Sequence, residues 1–147
     1  MDKRVIRIFL DTNILMDAVE SRKFTEEAKV ILSLCNEGKL EACAATMSFA
    51  TMAYLLRHHA KEQIHEIFSQ LCSIVKVMPV TTEQFEKAME FAPMRDFEDL
   101  MQYECAVFAG ADVIITNNGG DFTEFSKLPV ATSRDFLLHY FQQEEQE

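Results

Sequence analysis

The chain has 147 residues, of which 14 are Lys or Arg and 24 are Asp or Glu, so its formal net charge is -10. This length favours a single domain, and an apolar content of 48% is typical of globular rather than disordered proteins. No apolar run approaches the roughly 20 residues that a helix needs to cross a bilayer. The first residues lead through a short apolar run to Asp11 and do not resemble a signal peptide. We therefore expect a cytoplasmic protein with no membrane partner.

The negative charge is concentrated in two places. Residues 93–124 hold seven acidic residues and one arginine, a net charge of -6. The last four residues add a further -3. We expect residues 1–142 to form the single domain and residues 143–147 to form a disordered acidic tail. By difference, the rest of the chain is nearly neutral, so an acidic site is expected within residues 93–124.

The four cysteines are separated by 8, 29 and 33 positions and form no C-x-x-C pair. This spacing is not typical of a zinc site. Because each cysteine has apolar neighbours, we expect buried, reduced thiols of the kind found in cytosolic proteins. They are Cys35, Cys43, Cys72 and Cys105.

Short apolar runs alternate with helical patterns along the chain. The runs at 5–10, 39–45, 74–80, 113–116 and 128–131 predict five strands. Helices are predicted after caps at Thr12 and Ser48, at 25–37, 64–71 and 82–92, from a cap at Asp96 to about 109, and at 133–141. Residues 117–120 read as a turn. The alternation predicts an α/β sandwich, in which helices cover both faces of a parallel sheet.

Polar side chains follow two of the predicted strands. Asp11 comes after the first strand, and Asn118, with Asp121 just beyond it, comes after the fourth. Asp99 lies in the first turn of the helix that leads into that fourth strand. Ligands of open parallel sheets bind outside the carboxyl ends of the strands, so these oxygens can converge at one edge. Such a set suits Mg²⁺ or Mn²⁺, and ions bound in this way commonly promote phosphodiester hydrolysis.

The acidic residues also have a simpler interpretation. Asp96 is a typical helix N-cap, and Asp99 three residues later can complete a capping arrangement. Asp17 shares a helix face with Asn13 and is expected to be a supporting or surface residue. Asp112 and Glu124 are expected to be solvated loop charges.

A strand followed by an aspartate is also typical of haloacid-dehalogenase phosphatases. Their chemistry needs a second aspartate two residues later, to act as the general acid. This chain has Asn13 at that position, which disfavours a phosphatase.

Four segments of the chain together resemble the PIN domain, the metal-dependent ribonuclease fold of bacterial VapC-like toxins. They are IFLDTNILMD at 8–17, DFEDLMQ at 96–102, IITNNGGDF at 114–122 and PVATSRDFL at 129–137. Their order and spacing span nearly the whole chain. The resemblance implies a three-layer α/β/α sandwich, a Mg²⁺ or Mn²⁺ cofactor and an endoribonuclease that is the toxin of a toxin–antitoxin pair.

The resemblance also implies roles for individual residues. It makes Asp11, Asp99 and Asn118 metal ligands and adds Asp121 as a further catalytic residue. The supporting residues are Asn13, Thr51, Asp96 and Thr116.

One position departs from the family pattern. Alignment on the Leu-Leu-Arg end of residues 48–57 places Thr51 where PIN nucleases usually carry a glutamate. Threonine is a neutral and weaker ligand, so we expect a lowered metal affinity. The alternative is a degenerate PIN domain that binds RNA or a protein partner without cutting it.

The basic residues that RNA phosphates require are few. Arg57, His58, His59 and Lys61 cluster near the end of one helix, and Arg22 and Lys23 lie in a loop. The net charge disfavours long-range attraction of RNA, so these residues and a bound metal would have to overcome it. Family resemblance further implies an RNA substrate, an antitoxin protein and a homodimer.

Overall fold

Five short strands form one parallel sheet in the computed structural model, which describes residues 4–58, 61–91, 93, 96–118 and 120–146. In chain order the strands are β1 (Ile6–Leu10), β2 (Leu40–Ala45), β3 (Val75–Met78), β4 (Val113–Ile115) and β5 (Val130–Ala131). They lie side by side in the order β3-β2-β1-β4-β5, and every neighbouring pair is parallel. The predicted parallel sheet of about five strands is confirmed.

Helices connect the strands and cover the sheet. They are α1 (Thr12–Val19), α2 (Thr25–Asn36), α3 (Thr46–Leu55), α4 (Ile64–Cys72), α5 (Thr82–Ala88), α6 (Phe97–Phe108), α7 (Gly120–Phe125) and α8 (Ser133–Glu145). A short 3₁₀ helix, Lys61–Gln63, precedes α4. Among the residues described, no helix is long and apolar enough to cross a membrane.

Alternate residues of the strands pack against different helices. Ile8 and Leu10 of β1 belong to a core formed with α1, α2, α3, α4 and α8, whereas Phe9 faces a second core formed with α6 and α7. All three side chains are fully buried. Because both faces of β1 are covered, its sequence is a continuous apolar run rather than an alternating one. The three-layer α/β/α arrangement is confirmed.

Three helix predictions were wrong in detail. Helix α3 begins at Thr46 and not after a Ser48 cap, because the buried Ser48 hydroxyl lies 2.7 Å from the Thr12 hydroxyl instead. Thr12 is likewise inside α1, with Asp11 at the N-cap position. Helix α5 ends at Ala88, short of the predicted residue 92, and begins with a capping box between Thr81 and Gln84.

Two further differences concern the carboxyl-terminal third. Helix α7 was not predicted, although its Phe122 is fully buried and packs beside Phe125 and Tyr103. Helix α8 runs to Glu145 and therefore includes part of the segment that the sequence assigned to a tail.

The cysteines occupy different environments. All four are free thiols; Cys43 and Cys105 are buried, and Cys35 is half-buried. Cys72 is exposed at the end of α4, so the expectation that every thiol is buried was wrong for this residue.

The register of β1 against β4 fixes the position of the site. Leu10 is paired with Ile115, and the Asp11 backbone N–H donates to the Ile115 carbonyl oxygen at 3.1 Å. Asp11 and Thr116 are the next residues along these two strands. They therefore emerge side by side at the carboxyl-terminal edge of the sheet.

Candidate active site

Oxygen-bearing side chains line a cavity of about 380 Å³ at this edge of the sheet. It brings together the predicted ligands Asp11, Asp99 and Asn118. The other residues that line it are Thr12, Asn13, Thr51, Leu55, Asp96, Glu98 and Gln102. These residues lie in or next to α1, α3 and α6 and in the turn after β4. Residues that are far apart in sequence therefore converge at the carboxyl ends of the strands, as we expected from the sequence.

Two larger depressions lie elsewhere. They measure about 420 and 540 Å³ and are lined mainly by residues near the amino-terminal ends of β1 and β2 and, in the larger one, by α8. Each is lined by a single acidic residue within the part of the chain that the structure describes, Glu41 in one and Glu144 in the other. Neither brings several carboxylates together, so the smaller cavity is the candidate active site.

Asp11 is held firmly at the floor of the cavity. It is 3% exposed, and its Oδ2 accepts a hydrogen bond of 2.7 Å from the Thr116 hydroxyl. The same Thr116 oxygen accepts from the Asn118 backbone N–H at 3.1 Å. Burial raises the pKa of the Asp11 carboxyl, and hydrogen bonds from Thr116 and Gln102 oppose that rise. Thr116 therefore links the two strand-end residues predicted to bind a metal.

The start of α6 brings three carboxylates to the cavity wall. Asp96 is the N-cap of this helix, and its Oδ1 accepts from the Asp99 backbone N–H at 3.3 Å. The capping interpretation of Asp96 is thus confirmed, although the residue also lines the cavity. Asp99, one turn further into the helix, is half-buried. Capping and lining the cavity are compatible roles here.

Glu98 and Gln102 were missed as site residues by the sequence analysis. The Thr51 hydroxyl lies 3.5 Å from Glu98 Oε1, which joins α3 to α6 across the cavity. The pKa of Glu98 is raised first by burial and then by the negative charges of Asp96 and Asp11. Glu98 and Gln102 are four positions apart and so share a helix face. That spacing places the two side chains together, but the packed fold decides which face of α6 lines the cavity.

Asn117 supports the site from behind. Its side chain donates to Asp17 Oδ2 at 3.3 Å, and its Oδ1 accepts from the Ser133 backbone N–H at 3.0 Å. Asp17 is 6% exposed and has Arg22 3.9 Å away. These contacts anchor the turn after β4 to α1 and α8, and they give Asp17 a structural role away from the cavity lining.

The described members of the predicted basic cluster are not part of the cavity lining. Arg57, His58 and Lys61 are exposed, and none lines the cavity. The Arg57 guanidinium lies 3.7 Å from the centre of the Tyr54 ring and donates to the Tyr54 carbonyl oxygen at 2.6 Å. His59 and the side chain of Asp121 lie outside the described part of the chain.

Asp112 is not the solvated loop charge that the sequence suggested. Its carboxylate accepts from the Arg7 backbone N–H at 2.9 Å and forms an ion pair of 2.7 Å with Arg4. These contacts lower its pKa, with the Arg7 N–H contributing most. The residue fastens the start of β4 to β1, away from the cavity.

The lining suits a hard divalent cation in its chemistry. Its donors are carboxylate, amide and hydroxyl oxygens, and no lysine or arginine is among the described lining residues. In the same described part of the chain, no three His, Cys, Asp or Glu side chains come close enough together to hold a metal ion. The donor types thus fit Mg²⁺ or Mn²⁺, but their side chains would have to draw together around the ion.

Comparison with known proteins decides the family. A family model described as the PIN domain matches residues 7–119, a stretch that contains the first two resembling segments and the start of the third. The chain belongs to the PIN domain family. No curated protein gives a significant match to it.

This PIN domain is similar to several solved structures. One is VapBC2 from Rickettsia felis bound to a DNA fragment from its promoter, with a TM-score of 0.64, 18% identity, and coverage of 85% of this chain and 97% of that one. Mycobacterium tuberculosis VapC20, described as a Sarcin-Ricin loop cleaving toxin, has a TM-score of 0.64 and 17% identity, with 80% and 94% covered. A toxin–antitoxin complex from Klebsiella pneumoniae has a TM-score of 0.63 and 19% identity, with 86% and 97% covered. At these identities the likeness is one of fold.

Proposed function

We propose that this PIN domain is a metal-dependent endoribonuclease that hydrolyses RNA phosphodiester bonds. The observation that carries the proposal is the convergence of Asp11, Asp99 and Asn118 on one cavity at the carboxyl-terminal edge of the sheet. Parallel sheets bind ligands at this edge, and the lining oxygens suit Mg²⁺ or Mn²⁺.

The side chains have distinct roles in this proposal. Asp11, Asp99 and Asn118 would hold the ion, with Asn13 and Asp96 beside them on the wall. A bound Mg²⁺ or Mn²⁺ ion would supply an activated water and neutralise charge on the phosphate. Thr116, through its 2.7 Å hydrogen bond, would keep the Asp11 carboxylate in place. Asp121 remains a proposed catalytic residue on sequence grounds alone.

The end of α3 offers a place for the RNA backbone. Leu55 of α3 lines the cavity, and the exposed Arg57 and His58 follow two and three positions later. Lys61, the first residue of the 3₁₀ helix, is also exposed. Positive charges in such a position would contact phosphates flanking the cleaved bond.

We also propose that the protein is the toxin of a toxin–antitoxin pair and acts in the cytoplasm. Support comes from two structures with a similar fold. The Rickettsia felis structure is of VapBC2, and the Klebsiella pneumoniae structure is a toxin–antitoxin complex. An antitoxin protein is therefore the proposed partner, and a homodimer the proposed assembly.

An RNA cleavage assay with Mn²⁺ tests the nuclease proposal. We expect the wild-type protein to cut RNA and Asp11→Ala to lose that activity. Asp112→Asn serves as the matched control, because this aspartate lies near the amino-terminal side of the sheet and contacts Arg4 and Arg7. Equal cleavage by wild type and Asp11→Ala would refute the proposal and point to a contaminating nuclease.

A second function, binding without cutting, is favoured by two observations. Position 51 holds threonine in place of the usual glutamate, and no three acidic, His or Cys side chains converge on a metal position among the residues described. Calorimetric titration with Mn²⁺ separates the two functions. Tight binding that disappears in Asp99→Asn would count against the non-catalytic alternative.

A further inference from the structure

We propose that Glu98 provides the carboxylate that this chain lacks at position 51. In this view Glu98, at the start of α6, faces the metal position from the side where PIN nucleases usually present a glutamate from α3. The inference rests on the proposed function, because it concerns the same metal-binding cavity. It assigns a ligand role to a residue outside the set implied by the family resemblance.

The contact between the two helices is the first support. The Thr51 hydroxyl lies 3.5 Å from Glu98 Oε1, although the two residues are 47 positions apart. The Glu98 carboxylate therefore lies beside the position on α3 from which a glutamate side chain at residue 51 would extend. Both residues line the cavity that also contains Asp11, Asp99 and Asn118.

The electrostatic surroundings of Glu98 provide the second support. Glu98 is half-buried and lines the same cavity as Asp11 and Asp96, whose negative charges repel its own. No described lysine or arginine lines the cavity to offset this repulsion. Carboxylates that repel one another in a partly buried site are stabilised when a cation binds between them. Glu98 thus has the environment of a ligand carboxylate.

The identity of residue 51 fits this arrangement. A glutamate there would place another carboxylate against Glu98, whereas threonine is short and uncharged. Its hydroxyl can donate a weak hydrogen bond to Glu98. Thr51 is therefore a positioning residue in our proposal. Glu98 of α6 supplies the carboxylate that PIN nucleases usually have on α3.

Mn²⁺ affinity measured by calorimetry tests the inference without relying on catalysis. We expect Glu98→Gln to weaken Mn²⁺ binding by about 10- to 100-fold. Glu41→Gln removes the same charge from an exposed residue on β2 that pairs with Arg7, and we expect it to bind Mn²⁺ like the wild type. The double variant Glu98→Gln with Thr51→Glu restores a carboxylate from α3, so its affinity should return to within about threefold of the wild-type value. Circular dichroism confirms that each variant is folded.

The outcomes separate this inference from the function on which it rests. Absence of Mn²⁺ binding by the wild type would overturn both. If the wild type binds Mn²⁺, Asp11→Asn abolishes binding and Glu98→Gln does not weaken it, only the role of Glu98 is overturned. If Glu98→Gln weakens binding and the double variant is no better, Glu98 is not a substitute for the missing glutamate, and the inference also fails.

Discussion

Replacing Thr116 with valine tests how the site holds its buried carboxylate. Thr116 is fully buried, donates to Asp11 Oδ2 at 2.7 Å and accepts from the Asn118 backbone N–H at 3.1 Å. Valine has nearly the same shape, so Thr116→Val removes both hydrogen bonds and leaves little or no cavity. The variant therefore reports on the hydroxyl rather than on packing.

The expected loss of stability follows from these contacts. A hydrogen bond to a charged group contributes about 1.5–3 kcal/mol. Asp11 is only 3% exposed, so water cannot easily replace the lost donor. Asn118 is exposed, and its N–H can be partly rehydrated, which adds little. We expect Thr116→Val to lower the free energy of unfolding by about 2–3 kcal/mol, or the melting temperature by roughly 5–10 °C.

Urea unfolding in the presence of EDTA measures this loss without any contribution from metal. In an Asp11→Asn background the same substitution should cost only about 1 kcal/mol, because the acceptor is then neutral. Thr46→Val is the control, since this exposed threonine donates to the Met78 carbonyl oxygen at a site that water can reach. A loss below about 0.5 kcal/mol, or an equal loss in both backgrounds, would refute the assigned role of Thr116.

Two further variants test other parts of the fold. Asp112→Asn should cost about 1 kcal/mol at pH 7. Because the Arg7 N–H and Arg4 lower the pKa of Asp112, its contribution is complete above the unfolded-state pKa and disappears as the pH falls through the lower folded-state value. Urea unfolding at pH 7 and at successively lower pH should show the difference between wild type and variant decrease. Phe122→Ala should cost about 3–4 kcal/mol, since this side chain is fully buried, while Phe141→Ala, 45% exposed, should stay within about 1 kcal/mol by thermal unfolding.

The sequence predicted the sheet and the strand-end residues because both depend on local signals. Continuous apolar runs mark strands covered on two faces, and Asp11 follows such a run directly. Ser48 was misassigned for the opposite reason. Serine favours helix N-caps, but here its hydroxyl is used by a buried contact with Thr12 that only the packed fold reveals.

Helix α7 and Glu98 were missed because tertiary contacts define them. Six residues beginning with glycine carry little helical signal, and α7 is held by the burial of Phe122 beside α6. Glu98 stands next to Asp99 in a segment where the capping interpretation already accounted for the acidic residues. Its importance depends on the 3.5 Å approach to Thr51, which no spacing along one helix can show.

The acidic residues of the segment 93–124 occupy different environments in the fold. Asp96, Glu98 and Asp99 line the cavity, whereas Asp112 is paired with Arg4 at a distance from it. Glu104 is 6% exposed; burial raises its pKa, and the positive charge of Lys87 of α5 opposes that rise. Only the first group faces the buried Asp11, and its mutual repulsion works against the folded state. A cation that binds this group in the folded protein would stabilise it in proportion to RT ln(1 + [M]/Kd). Metal affinity and folding stability are therefore linked through the same few carboxylates, and a substitution that relieves their repulsion should stabilise the metal-free protein while weakening the proposed site.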